Sequence, residues 1–234
     1  HDAMVAGVPV IPFMQRIFKR EKDLSLGGRW YGSTASHLQL KRHERKKILI
    51  DDCTTFEPDF KSLHYCLLYA WEGIQVNADF DPYTIDGFDR STVKTVMFKL
   101  LNTKSVKRFI NNVDKSANEE NQALFKIDPK HPKLKGFIEN VPTGTDGSAI
   151  YEAFRTKHSR IAHYFGQPDI GLKLQRKDSD IMATAILMLS ALNIPVLPVH
   201  DSLVARVIDS TQVLNAMNEA YKKHTGFIPN ISES

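Results

Sequence analysis

The chain has 234 residues, with 42% hydrophobic and 25% charged side chains, a formal net charge of +4 and a sequence pI near 8.9. That composition fits a folded globular chain and excludes a disordered one. No apolar run reaches the ~18–20 residues that a membrane-spanning helix needs, and nothing at the start resembles a cleavable signal peptide.

Taken in chain order, the first 26 residues are expected to hold one amphipathic helix, about 11–22, broken by Leu26-Gly27-Gly28. The stretch from Arg29 to Phe60 reads as extended, with strands at 47–50 and 54–59 around a turn at Asp51-Asp52. In Lys61 to Gly73, Leu63, Leu67, Leu68 and Trp71 recur at helical spacing and Gly73 ends the helix. Further helices are expected at about 88–102, 104–120, 148–164 and 178–192, with a Pro-, Gly- and Lys-rich loop over 126–148. A strand-turn-strand then covers Ile194 to Val207, and a last helix runs over about 211–223. Cys53 and Cys66 form no CxxC pattern, which suits a reducing, intracellular setting.

Three segments carry chemistry. In IPVLPVHDSLVARV, two apolar runs rich in β-branched residues flank His200-Asp201-Ser202, which lifts Asp201 onto the tip of a hairpin. A carboxylate there is costly unless a cation meets it, and hard oxygen ligands suit magnesium. Asp59 stands at a strand end just before a helix, so Asp59 and Asp201 can face each other across a sheet and hold two metal ions. In the third segment, Arg90, Lys94 and Phe98 are spaced i, i+4, i+8 and share one helical face. Two cations and an aromatic ring on one stripe suit a triphosphate and a base. Read blandly, the three segments are a tight turn, a strand end and a solvated cationic helix face. Basic runs at 41–47, around Lys104, Lys107 and Arg108, and at 130–135 can meet nucleic-acid phosphates or simply solubilise the surface.

Together these segments resemble the family A nucleic-acid polymerases, the group of the bacterial repair DNA polymerases and, more distantly, the single-subunit phage-type RNA polymerases. Five segments match in the family's order. Gly28-Arg29 with Leu38-Gln39 resembles the TGR segment, and Asp59-Phe60-Lys61-Ser62-Leu63-His64 resembles motif A. Arg90, Lys94 and Phe98 resemble motif B, Gln175 with Asp180-Ile181 resembles the Gln-Gly-Thr-Ala-Ala-Asp-Ile segment, and His200-Asp201 resembles motif C. Departures are His64 where the DNA polymerases carry a Glu that gates the sugar, Asn102-Thr103 in place of Tyr-Gly, and Ser202 after His-Asp, as in the phage-type RNA polymerases.

The resemblance implies an α/β polymerase palm with a small, mainly antiparallel sheet over 27–75 and 171–234. A fingers-like helical insertion is expected over 76–170, with an N-terminal helix in 1–26. Only 26 residues precede Gly27, so the thumb is expected to be absent, minimal or outside this chain. It implies template-directed nucleotidyl transfer with two Mg²⁺ held by Asp59, Asp201 and the Phe60 carbonyl. Arg90, Lys94, Phe98, His64 and Tyr83 would meet the nucleotide, and Arg29, Gln175 and His200 the primer-template. Expected partners are a DNA primer-template, nucleoside triphosphates and a processivity or replication partner, in a bacterial or phage-type cytoplasm and without a membrane. Alternatives are an RNA-polymerase-like or primase-like activity, a non-catalytic nucleic-acid-binding relative, and an HD-type metal phosphohydrolase drawing on His158, His163 and His200. That last reading needs the His-Asp pair on a helix.

Overall fold

In a computed structural model of the chain, residues 2–10, 13–19, 24–33 and 36–233 are described. The chain forms two compact units, His1–Ala78 with Leu172–Ser234, and Asp79–Gly171.

The first unit is built on antiparallel strands. They are β1 (Ala3–Val5), β2 (Val8–Pro9), β3 (Met14–Phe18), β4 (Gly27–Gly32), β5 (Ile48–Ile50), β6 (Cys53–Phe56), β7 (Pro58–Phe60), β8 (Val196–Val199), β9 (Ser202–Arg206) and β10 (Ile231–Glu233). Eight of them form one sheet, in the order β10-β7-β9-β6-β5-β1-β2 with β8 on β9, while β3 and β4 pair apart. The helices of this unit are α1 (Arg42–Arg45), α2 (Leu63–Trp71), α7 (Ile170–Ala191), which starts at the last two residues of the other unit, and α8 (Ser210–Thr225). Ile48, Ile50, Leu197, Val199 and Val204 form an apolar cluster on the sheet. Phe60 of β7 packs on Tyr221 of α8, their ring centroids 5.8 Å apart.

Two tight turns set the register. Asp51 and Asp52 both take positive φ (49° and 60°), as a two-residue hairpin with the right-handed strand twist requires, and Ile50 pairs Cys53 across it. His200 and Asp201 form the other turn, closed by the Val199–Ser202 pair. Ser62 (φ 52°) bends the chain from β7 into α2.

The second unit holds α3 (Arg90–Leu101), α4 (Val106–Ser116), α5 (Glu119–Ile127) and α6 (Gly147–Lys157). Its core includes Val93, Val96, Leu100, Phe109, Val113, Ile150, Phe154 and Ile161, all buried. Side-chain caps from Asp89, Ser105, Asn118 and Asp146 start the four helices.

Several expectations need correction. The N-terminal helix over 11–22 does not form across Met14–Phe18, which is a strand paired with β4; residues 11, 12 and 20–22 lie outside the described residues. The single helix over 104–120 is two, because the Asn118 side chain accepts from the Asn121 amide and starts α5. The helix placed at 178–192 begins at Ile170, and the extended stretch before β5 contains α1. No described helix is long and apolar enough to cross a membrane.

Candidate functional site

Asp59 and Asp201 are brought together by strand register. β7 lies between β10 and β9, with Asp59 opposite Ser232 on one side and Ser202 on the other. The Phe60 amide donates to the Asp201 carbonyl (3.2 Å), which fixes the His200-Asp201 turn beside the end of β7. His200 takes φ +55°, an uncommon conformation for a residue with a Cβ and one that collects at functional sites. Burial pushes the Asp201 carboxyl up to about 7, and the charges of Asp178 and Asp59 push the same way. The His200 imidazole is held below its usual value, first by loss of solvent around the ring and then by the Arg29 charge.

Asp178 is the residue that sequence reasoning missed. It lies on α7, 1% exposed, and neither of its carboxylate oxygens has a hydrogen bond. Arg29 Nη2 and His64 Nε2 each stand 3.5 Å from its Oδ2. Its neighbour two positions on, Asp180, does structural work. It accepts from Arg16 of β3 and Arg176 of α7 (2.8 Å each) and so ties the β3–β4 hairpin, which carries Arg29, to α7. Gly28 is required in that hairpin: φ is +91°, and a Cβ would stand 2.5 Å from the Phe18 ring. The available signal for Asp178 was its offset from Asp180, since residues two apart on a helix point to different faces.

A second buried carboxylate is neutralised. Arg45 grips Glu57 through two hydrogen bonds (3.0 and 2.7 Å). Ser202 Oγ lies 3.0 Å from Glu57 Oε1 and 2.9 Å from the Val199 carbonyl, and its single proton serves one or the other.

The first unit thus gathers Asp59, Asp201, His64, Arg29 and His200. The Phe60 side chain belongs to the core, and only its backbone faces the turn. Gln175 is half-buried on α7, one helical turn before Asp178. The second unit gathers the remaining candidates. Arg90 and Lys94 lie over the Tyr83 ring, at 5.7 and 5.9 Å from its centroid. Arg90 also binds Asp81 (2.5 Å). Partial burial works to raise the Asp81 carboxyl, but hydrogen bonds from Arg90, the Tyr83 amide and Thr84 outweigh it and hold it down at about 2. Phe98 is exposed on the same helix. The His-Asp pair stands on a hairpin turn, so the helix-borne pair of an HD-type site is not formed. His158 is buried and bonded to the Pro82 carbonyl.

Hard carboxylate oxygens beside a buried Asp178 that lacks hydrogen bonds fit a divalent cation. Among the described residues no three His, Cys, Asp or Glu side chains form a ready metal cage. Asp59 and Asp201 are the residues that would hold such an ion.

No protein-family model matches this chain, and no curated protein does. Among solved structures it is similar to the POL domain of Pol1 from M. smegmatis in complex with DNA primer-template and dNTP, at 11% identity and a TM-score of 0.42 over 88% of this chain and 44% of that one. The chain thus spans less than half the length of that structure.

Proposed function

We propose that this chain catalyses template-directed nucleotidyl transfer of the DNA-polymerase type, supported by divalent cations. The observation that carries this reading is the strand register that sets Asp59 and Asp201, remote in sequence, side by side at one turn. Asp59 and Asp201 would hold divalent ions, which when bound would supply the acidification of an attacking hydroxyl and positive charge for the phosphates. Arg90 and Lys94 bind triphosphate oxygens, Arg90 exchanging Asp81 for phosphate, while Tyr83 and Phe98 flank the nucleotide. Arg29, Gln175 and His200 contact the primer-template end. His64 meets the sugar, and deoxynucleotides are favoured.

Extension of a labelled primer on a template, with and without Mg²⁺, tests this. Asp59→Ala and Asp201→Ala should each lower extension by more than the ~10²–10³-fold typical of one lost electrostatic donor. Near-normal extension by either folded variant would remove the reading. In a dNTP against rNTP competition, His64→Ala should raise the ribonucleotide share; an unchanged share rejects His64 as the sugar contact.

A further inference from the structure

The anomaly of the site is Asp178. A carboxylate that is 1% exposed ordinarily survives only when paired and hydrogen-bonded, because its desolvation costs several kcal/mol in order of magnitude. Here neither oxygen has a hydrogen bond. The other nearby guanidinium groups are committed elsewhere. Arg45 is taken up by Glu57 and the Leu40 carbonyl, and Arg16 and Arg176 are taken up by Asp180. Arg29, 3.5 Å from Asp178, is the guanidinium that faces it, and the charge of Asp178 also acts on Asp201.

We propose that Asp178 is a third carboxylate of this site, whose buried charge strengthens the hold of Asp59 and Asp201 on a divalent cation without itself ligating it. The inference rests on the metal-binding part of the function given above. A residue whose only task was to position Arg29 and His64 would hold them by short, aligned hydrogen bonds. Both contacts are instead 3.5 Å and neither is a hydrogen bond. What Asp178 contributes at that range is field, and in a dry site a full charge acts strongly over several ångströms. The desolvation of that charge, without a hydrogen bond to either oxygen, is a cost that a nearby bound cation lowers.

The test is direct Mn²⁺ binding to the full chain, read as free Mn²⁺ by electron paramagnetic resonance, without nucleotide or nucleic acid. Asp178→Asn keeps shape and removes charge, and should weaken Mn²⁺ binding by about tenfold. It should also raise the melting temperature of the cation-free protein and shrink the rise that Mn²⁺ produces. Asp59→Asn and Asp201→Asn should weaken binding further. Wild-type Mn²⁺ affinity in Asp178→Asn, alongside losses in the other two, overturns the role of Asp178 and leaves the metal site standing. Wild-type affinity in all three overturns the metal site itself. Weakened primer-template binding with unchanged Mn²⁺ affinity would make Asp178 a positioning residue for Arg29, and also overturns the inference. Should Asp178→Asn not fold, Asp178→Ala, a good helix former, provides the same comparison.

Discussion

Glu57 and Asp178 are two buried carboxylates with opposite treatment, and the difference predicts how each responds to mutation. Glu57 receives a two-pronged guanidinium grip from Arg45 and lies within hydrogen-bond distance of Ser202. Removing Arg45 leaves a buried charge with the Ser202 hydroxyl in place of a cation. Arg45→Ala should therefore cost about 3–5 kcal/mol, as measured by urea denaturation, whereas replacing both partners by apolar residues of similar volume should restore most of it. A loss of under about 1 kcal/mol in Arg45→Ala would show that Glu57 reaches water. Asp178 has no such grip, so its neutralisation moves stability in the other direction. A buried carboxylate is gripped by a guanidinium in one place and lies without a hydrogen bond in the other.

Among the elements, α4 and α6 meet at Gly147, the first residue of α6. Its amide donates to Asp114 Oδ1 (2.7 Å), and a Cβ there would stand 2.7 Å from the Ile110 carbonyl and 3.1 Å from the Val113 Cβ. Backbone atoms cannot yield as a flexible side chain does. Gly147→Ala should destabilise the 79–171 unit by about 1–3 kcal/mol, although alanine is the better helix former. An unchanged melting temperature would mean that the helices can part at no cost. Elements whose cause is local were legible in the sequence. The β8–β9 hairpin follows from β-branched runs around two polar residues, and α2 and α3 follow from their apolar spacing and end signals. Elements with distant causes were not. Met14–Phe18 reads as helical because Arg16 interrupts its apolar residues, yet its burial alternates along a strand. Arg16 is met by Asp180, far along the chain, as well as by the Gly28 carbonyl. Asp178 was hidden for the same reason: nothing in QRKDSDI says which of its two aspartates faces the site.

Across the whole molecule, each unit buries one histidine against a proline carbonyl. His37 Nε2 donates to Pro198 O (2.7 Å) in the first unit, and His158 Nε2 to Pro82 O (3.0 Å) in the second. Both rings are fully buried. Burial lowers the pKa of each, against the pull of its carbonyl partner. His158 falls to about 4, with Lys157 adding to the effect, and its ring lies among Phe154 and Phe80. Around His37, Arg45 lowers the pKa and Glu57 raises it. In the unfolded chain both rings take a proton near pH 6.5. Below that pH, and down to the folded value, the unfolded state therefore binds more protons than the folded one. The stability tied to each neutral ring is full above about pH 6.5 and falls below it, for His158 by about 1 kcal/mol per pH unit down to about pH 4, and for His37 in the same direction. Hydrogen exchange read peptide by peptide, corrected for intrinsic rate and compared at about pH 7 and about pH 5, follows the two units separately. His158→Gln keeps a donor for the Pro82 carbonyl and cannot take up a proton. It should flatten the acid response of 79–171 and leave that of the other unit as it was, with His37→Gln giving the reverse. Equal acid responses in wild type and both variants would show that the buried carboxylates, and not these two histidines, set the pH dependence of the fold.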